Sequence, residues 1–200
     1  MDILKLAKLA DKFAAITKYQ YLYHIRSPDF KGKFLYPLSE LAEIDKRLYN
    51  KSFNKYKGRE DWINREIPLL NCKATDVVNL STINPIKLFA VEILLNIEKI
   101  EDKQIFKIPT SILKNQEFVL FSYDKDLNYK YKKQNINAYK ECIHVPLDTV
   151  EHYIESKKNK ESPLIFEYVP HVLVKGKVDI STAELIDFKS TNIINLLNEF

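Results

Sequence analysis

His24 and Arg26 stand two residues apart in "YLYHIR", residues 21–26. On an extended chain, residues two apart project from one face. An imidazole and a guanidinium presented together suit ribose hydroxyls and phosphates. The plainer role of a single histidine at a strand end is a bond to a backbone carbonyl. A second group lies in "NLSTINP", residues 79–85, where Asn79, Ser81 and Thr82 close an apolar run and Asn84 precedes Pro85. Asn84 then caps a helix whose free N–H groups favour an anion. Capping chemistry accounts for Asn84 fully and for Ser81 in part. The third group is "FEYVPHVLVKG", residues 166–176. Glu167 and His171 are four apart, hence on one face if the strand runs straight, and Pro170 marks an edge or a bulge. A solvated glutamate on an edge strand is the plain alternative.

Two stretches have the composition of a polymer-binding surface. "RLYNKSFNKYKGR", Arg47 to Arg59, interleaves five cations with Tyr49, Phe53 and Tyr56. "YDKDLNYKYKKQNINAYK", Tyr123 to Lys140, alternates Tyr129 and Tyr131 with Lys130, Lys132 and Lys133. As a strand, the second sends rings to one face and lysines to the other. Rings that stack on bases, beside cations that meet phosphates, are what a single-stranded nucleic acid requires. Lysines that guard an exposed sheet edge are the alternative. A metal centre is not expected, because Cys142, His144 and His152 lack a fourth ligand at zinc spacing. No nucleophile elbow is present. Cys72, between Leu70 and Ala74, reads as a small buried hydrophobe.

The elements that must position these groups follow from periodicity. Ile3, Leu4, Ala7, Ala10, Phe13, Ala14 and Ile16 predict an amphipathic helix over residues 3–17. A strand follows over 19–25, a loop over 27–37 and a helix over 38–49. The basic stretch 50–60 and a short helix near 61–66 come next. Residues 75–85 read as a strand running into a loop, and the helix from Pro85 carries the longest apolar stripe, Ile86 to Ile97. Strands are predicted at 104–109, 117–123, 127–132 and 141–146, with "DKDL" as a hairpin turn. Asp148 and Glu151 fit a capping box for a helix to about residue 157. "PLIFEYV" and "HVLVKGKVDI" read as two further strands. Ser181 with Glu184 opens a helix, or 184–188 is a last strand. Early helices and late strands predict an α+β fold, with a mixed, mostly antiparallel sheet and N-terminal and central helices in one domain.

Composition narrows the function. The chain has 200 residues, net charge +4 and three glycines, Gly32, Gly58 and Gly176. Glycines this sparse give no phosphate-cradling loop, which argues against Rossmann dehydrogenases, kinases and P-loop NTPases. Two cysteines do not make a disulfide scaffold, and the N-terminal residues do not read as an export signal. The most apolar run, Leu88 to Leu95, is interrupted by Glu92 and is too short to span a bilayer. A soluble cytoplasmic protein with no membrane association is the expectation.

The "Tyr-His-Ile" strand, the Ser-ended strand before "Asn-Pro", and the late "VLVKGKVDIS" strand together resemble the ADP-ribosyltransferase fold. The bacterial branch that includes the DarT toxins and their PARP-like relatives is the most similar. The resemblance extends from about residue 20 to 188. It implies a split β-sandwich, NAD as a substrate and a nucleic-acid or protein target. A neutralising protein partner is a further implication. By the same resemblance His24 and Ile25 would hold the ribose and nicotinamide, with Arg26 beside them. Ser81 and Asn84 would shape the nicotinamide pocket. The last motif normally supplies a glutamate, and here that position is His171, so Glu167 or His171 would be the catalytic residue. A neutral imidazole cannot offer the negative charge an oxocarbenium centre favours, though it suits proton transfer. This departure leaves two other readings open: a non-catalytic nucleotide- or nucleic-acid-binding module of the same fold, and a metal-independent RNA-cleaving protein using His24 and His171.

Overall fold

A computed structural model describes residues 2–13, 21–58, 60–97, 101–133 and 144–190. Its centre is a seven-stranded sheet in which every ladder is antiparallel. The strands are β1 (Tyr21–Ile25), β5 (Val77–Ser81), β6 (Lys103–Pro109), β7 (Phe118–Ser122), β8 (Lys130–Lys132), β9 (His171–Lys175) and β11 (Glu184–Phe188). Their order across the sheet is β11-β6-β1-β5-β9-β7-β8. Two short ribbons pair β2 (Phe34–Leu35) with β10 (Val178–Asp179), and β3 (Glu66–Ile67) with β4 (Cys72–Lys73). The helices are α1 (Ile3–Ala10), α2 (Leu38–Ile44), α3 (Lys46–Phe53), α4 (Glu60–Asn64), α5 (Pro85–Leu94) and α6 (Leu147–Lys158). An α+β architecture is therefore present.

Both sheet faces are apolar, as the Val, Ile, Leu and Phe runs of the central strands require. Leu22, Val78, Leu80, Phe106, Ile108, Leu120, Val172 and Val174 line one face and bury it with Leu35, Leu113, Val178 and Ile180. The other face carries two separate clusters. Tyr23, Ile105 and Phe188 pack under α1, α5 and α6. Val77, Val119, Phe121 and Leu173 pack with Ile67 and Leu70. The α5 helix is the most deeply set: Leu88, Phe89, Ala90 and Val91 are all at most 2% exposed. It starts where the sequence places it, with the Asn84 Oδ1 accepting from the Ile86 N–H at 3.0 Å and Pro85 in the first turn.

Several elements differ from expectation. "PLIFEYV" is not a strand: residues 165–168 form a turn. Val169 is fully buried and Ile165 and Phe166 are half-buried against the core cluster that includes α6 residues, while Leu164 is exposed. Residues 144–146 are not in a strand either, and 141–143 lie outside the described residues. The first helix ends at Ala10 and tightens into a 3₁₀ turn, Asp11–Phe13, with 14–17 outside the described residues. The expected helix 38–49 breaks at Asp45, whose extended backbone ends α2 and whose carboxylate caps α3 through the Leu48 N–H at 2.9 Å. Pro146, not Asp148, stands at the N-cap of α6. Of the two readings offered for the segment from Ser181, the last strand over 184–188 is the one present, as β11, and the helix start is not.

Asp11 ties three elements together. Its carboxylate meets Lys87 Nζ of α5 at 3.0 Å and His144 Nδ1 at 2.7 Å, and it accepts from the Val145 N–H at 3.4 Å. The lysine side chain is 5% exposed and the aspartate 15%. Desolvating both ions offsets much of their attraction, but removing one partner strands the other. Lys87→Met is expected to cost on the order of 3 kcal/mol in urea unfolding. Adding Asp11→Leu to it should restore a large part of that loss.

Candidate functional site

The central ladder of the sheet is interrupted between β1 and β5. Neighbouring ladders run over four or five residue pairs, whereas Tyr23↔Ser81 is the sole registered pair joining β1 to β5 among the described residues. The next tie is made by a side chain: His24 Nδ1 bonds the Asn79 carbonyl at 3.2 Å. An imidazole stands in for a ladder N–H that the parted strands do not supply. Nδ1 then carries the proton, because a carbonyl only accepts, and Nε2 is left as an acceptor.

This seam brings the three sequence motifs together. Tyr23, Ser81, His171 and Phe121 form one row across β1, β5, β9 and β7. Residues directly opposite in antiparallel ladders share a face, so these four side chains point the same way. Asn79, one pleat along from Ser81, is exposed in the middle of a central strand. Its neighbours on that face, Val77, Ser81 and the cross-strand Leu173, are all buried. By register His24 belongs to the opposite face, yet it lies near enough to His171 for its charge to be felt there.

Both imidazoles are pushed toward the neutral form. Burial lowers His171 to about 4, against a backbone hydrogen bond at Val169, and the charge of His24 lowers it further. Burial also lowers His24, with the Asn79 carbonyl opposing and Lys55 adding to the shift. The Phe166 ring stands edge-on to His171 at 5.6 Å.

The remaining predicted residues divide. Ser81 is 2% exposed and its hydroxyl is committed locally, donating to the Ile83 carbonyl at 2.8 Å and accepting from the Ile83 N–H at 3.1 Å. It braces the bend between β5 and α5. The Asn84 side chain is occupied by capping. Ile25 pairs with Ile105 on the β6 side and leaves its seam side without a registered partner among the described residues. Arg26 does not project with His24 toward a ligand: its guanidinium bonds the Gln104 side chain and the Phe30 carbonyl. Glu167 and His171 are not on one straight strand, because the turn at 165–168 intervenes. Burial raises the Tyr123 phenol's pKa, and the charge of Glu167 beside it adds to the shift.

Beyond His171 the same sheet face continues into an aromatic shelf. Phe121 and Tyr131 are 5.0 Å apart, Tyr123 and Tyr129 stack at 5.8 Å, and Tyr168 meets Tyr123 at 5.2 Å. Trp62 of α4 stands edge-on to Phe121 at 5.6 Å. The Arg65 guanidinium lies 3.7 Å from the Tyr129 ring and 4.4 Å from Trp62, and its Nη1 is buried without a hydrogen-bond partner. Lys130 and Lys132 project from the other face of β8, as alternation predicts. Residues 134–140 of that stretch lie outside the described residues. In the other basic stretch, Arg47 and Lys51 are paired with Asp29 at 3.0 and 3.2 Å, and Tyr49 stacks on Phe53. Arg59 lies outside the described residues.

Trp62 and Arg65 emerge as groups of this shelf only in three dimensions. Trp62 lies in α4 and Arg65 directly follows that helix, and no local spacing links them to Tyr129. Among the described residues no cluster of His, Cys, Asp and Glu could hold a metal ion, and no helix is long and apolar enough to cross a membrane. Cys72 is half-buried, and burial raises its thiol pKa. No protein-family model, curated protein or solved structure matches the chain.

The lowered His171 and His24 make stability pH-dependent. A folded-state pKa below the unfolded value means the unfolded chain binds protons first. Their contribution is therefore complete above pH 6.5 and is lost as pH falls toward 4. His171→Gln should flatten the fall in urea midpoint between pH 6.5 and 4.5. An unaltered slope would show that this imidazole is not held neutral.

Proposed function

We propose that the seam binds NAD and that the protein transfers ADP-ribose to a single-stranded nucleic acid. The observation that carries this reading is the convergence of three distant segments on β1, β5 and β9, beside the interrupted ladder at Tyr23–Ser81. His24 Nε2 accepts from a ribose hydroxyl, and the backbone of Ile25 at the parted edge of β1 offers its polar groups to the nicotinamide amide. In the reaction the bond between the ribose C1′ and the nicotinamide nitrogen breaks, nicotinamide leaves with the electron pair, and a nucleophile on the target attacks C1′ and loses its proton.

The neutral His171 positions but does not stabilise the positive sugar. The carboxylate that serves that purpose is Glu167, delivered by the turn and lying close enough to Tyr123 for its charge to be felt there. The aromatic shelf begins at Phe121, the row neighbour of His171, so a strand stacked on Tyr129 and Tyr131 leads toward the site. RNA cleavage by a His24–His171 acid–base pair is the weaker reading. Burial pushes both imidazoles toward the neutral form, which disfavours the protonated member such a pair requires.

Calorimetry with NAD should give a saturable heat that His24→Ala abolishes. Nicotinamide release should fall by 10²-fold or more in Glu167→Gln, on the order of one lost electrostatic contact. Binding with no release in the wild type would select the non-catalytic module, and no heat at all would end the NAD reading. Separately, Tyr129→Ala should weaken binding of a labelled oligonucleotide about tenfold. That affinity should also drop steeply with salt.

A further inference from the structure

The turn that carries Glu167 is fastened to α6 by three side chains on one helical face. Thr149 Oγ1 donates to the Glu167 carbonyl at 2.8 Å, and Tyr153 Oη donates to the Ile165 carbonyl at 2.6 Å. Between them, His152 Nε2 accepts from the Leu164 N–H at 3.1 Å. Thr149 and Tyr153 are completely buried. The turn is also closed on itself by Glu167 N–H to Leu164 O at 3.0 Å and Val169 N–H to Phe166 O at 3.2 Å. Tyr168 is held at φ +60°, a left-handed conformation that is unfavourable for an aromatic residue. Its ring lies 5.2 Å from Tyr123 and 6.2 Å from His152. Strain of this kind persists only when the surroundings over-determine it.

Of the three fastenings, the imidazole's can be undone by a proton. A backbone N–H can donate to Nε2 only while that nitrogen is bare, which requires the neutral Nδ1–H tautomer. A proton on Nε2 removes the acceptor and sets two donors against each other. We propose that His152 is a positioning residue for Glu167: neutral, it clamps the first residue of the turn to α6, and protonated, it releases Leu164 and loosens the Glu167–Tyr123 contact.

The charged and titratable groups around His152 are Glu155 on α6, Glu161 after it and Glu167 on the turn, all of which favour the imidazolium. The Tyr153 and Tyr168 rings flank it. Burial outweighs the three carboxylates and lowers the histidine below 6.5. The clamp is therefore closed at neutral pH and opens on acidification. The geometry of the clamp stands without any assumption about NAD; its effect on catalysis rests on the reading of Glu167 given above.

The test uses the full ¹⁵N-labelled chain, followed by NMR from pH 7.5 to 4.5. In the wild type the Leu164 amide resonance should titrate with the same midpoint as the His152 Cε1–H. Its hydrogen-exchange protection should fall on the order of tenfold across that midpoint, the worth of one hydrogen bond. In His152→Gln, whose amide oxygen accepts at every pH, the Leu164 titration should vanish and protection should persist to low pH. Different midpoints for Leu164 and His152 in the wild type, or the same Leu164 titration in the glutamine variant, would overturn the proposal. In the activity arm, nicotinamide release by the wild type should fall through this midpoint, and release by His152→Gln should not. Coincident Leu164 and His152 titration without any nicotinamide release would sustain the clamp and refute the transferase reading.

Discussion

The sheet depends on how β1 and β5 meet. Three strands, β11, β6 and β1, lie on one side of this junction and four, β5, β9, β7 and β8, on the other. Among the described residues, one registered backbone pair, Tyr23 with Ser81, and the His24 imidazole tie the two parts edge to edge. Unpaired backbone groups in the middle of a sheet are costly unless something satisfies them. His24 supplies that satisfaction for the Asn79 carbonyl, so its structural role and its place at the candidate site share one cause.

The two faces respond to this constraint differently. One is sealed by a continuous apolar cluster that crosses the junction, from Phe106 and Leu22 through Leu80 to Val172 and Leu120. That cluster is what keeps the two parts of the sheet together while their ladder is interrupted. The opposite face divides into two clusters and leaves Asn79 exposed. On one side α5 and α6 form the wall, braced by the Asp11 carboxylate against Lys87 and His144. On the other stand Trp62, Arg65 and the tyrosines of the β7–β8 hairpin. The hairpin tip is itself fixed: Asp124 accepts from the Asp126 and Asn128 N–H groups, and Lys125 bonds Asp148 and Glu151 of α6. The shelf is thus anchored to the same helix that carries the Glu167 turn.

Much of the fold is legible in the residues. The alternation in Lys103–Pro109 and the unbroken apolar runs in Phe118–Ser122 and His171–Lys175 predict strands because a pleated, half- or fully buried surface favours those side chains. Asn84–Pro85 marks the start of α5 because capping and proline geometry are local. The misreadings have equally physical origins. "PLIFEYV" has strand composition, yet Ile165, Phe166 and Val169 pack into the core cluster that includes α6 residues, and the Thr149, His152 and Tyr153 bonds that stabilise a turn there come from residues 12 to 18 positions away. Asp45 interrupts a helical pattern because its carboxylate caps the following helix, a competition that hydrophobic periodicity does not register.

The sequence by itself determined the fold class, the most buried helix and the three segments from which the candidate site is drawn, since periodicity, capping and composition are properties of neighbouring residues. Tertiary structure decided what each polar group does. Register put Ser81 and His171 in one row and committed Ser81 to its own bend. It turned Arg26 toward Gln104 and brought Trp62 and Arg65 to Tyr129. Glu167 reached Tyr123 through a turn where a straight strand was expected. Those outcomes depend on which strands pair and which carbonyls are left unsatisfied, and such choices are made between segments far apart in the chain.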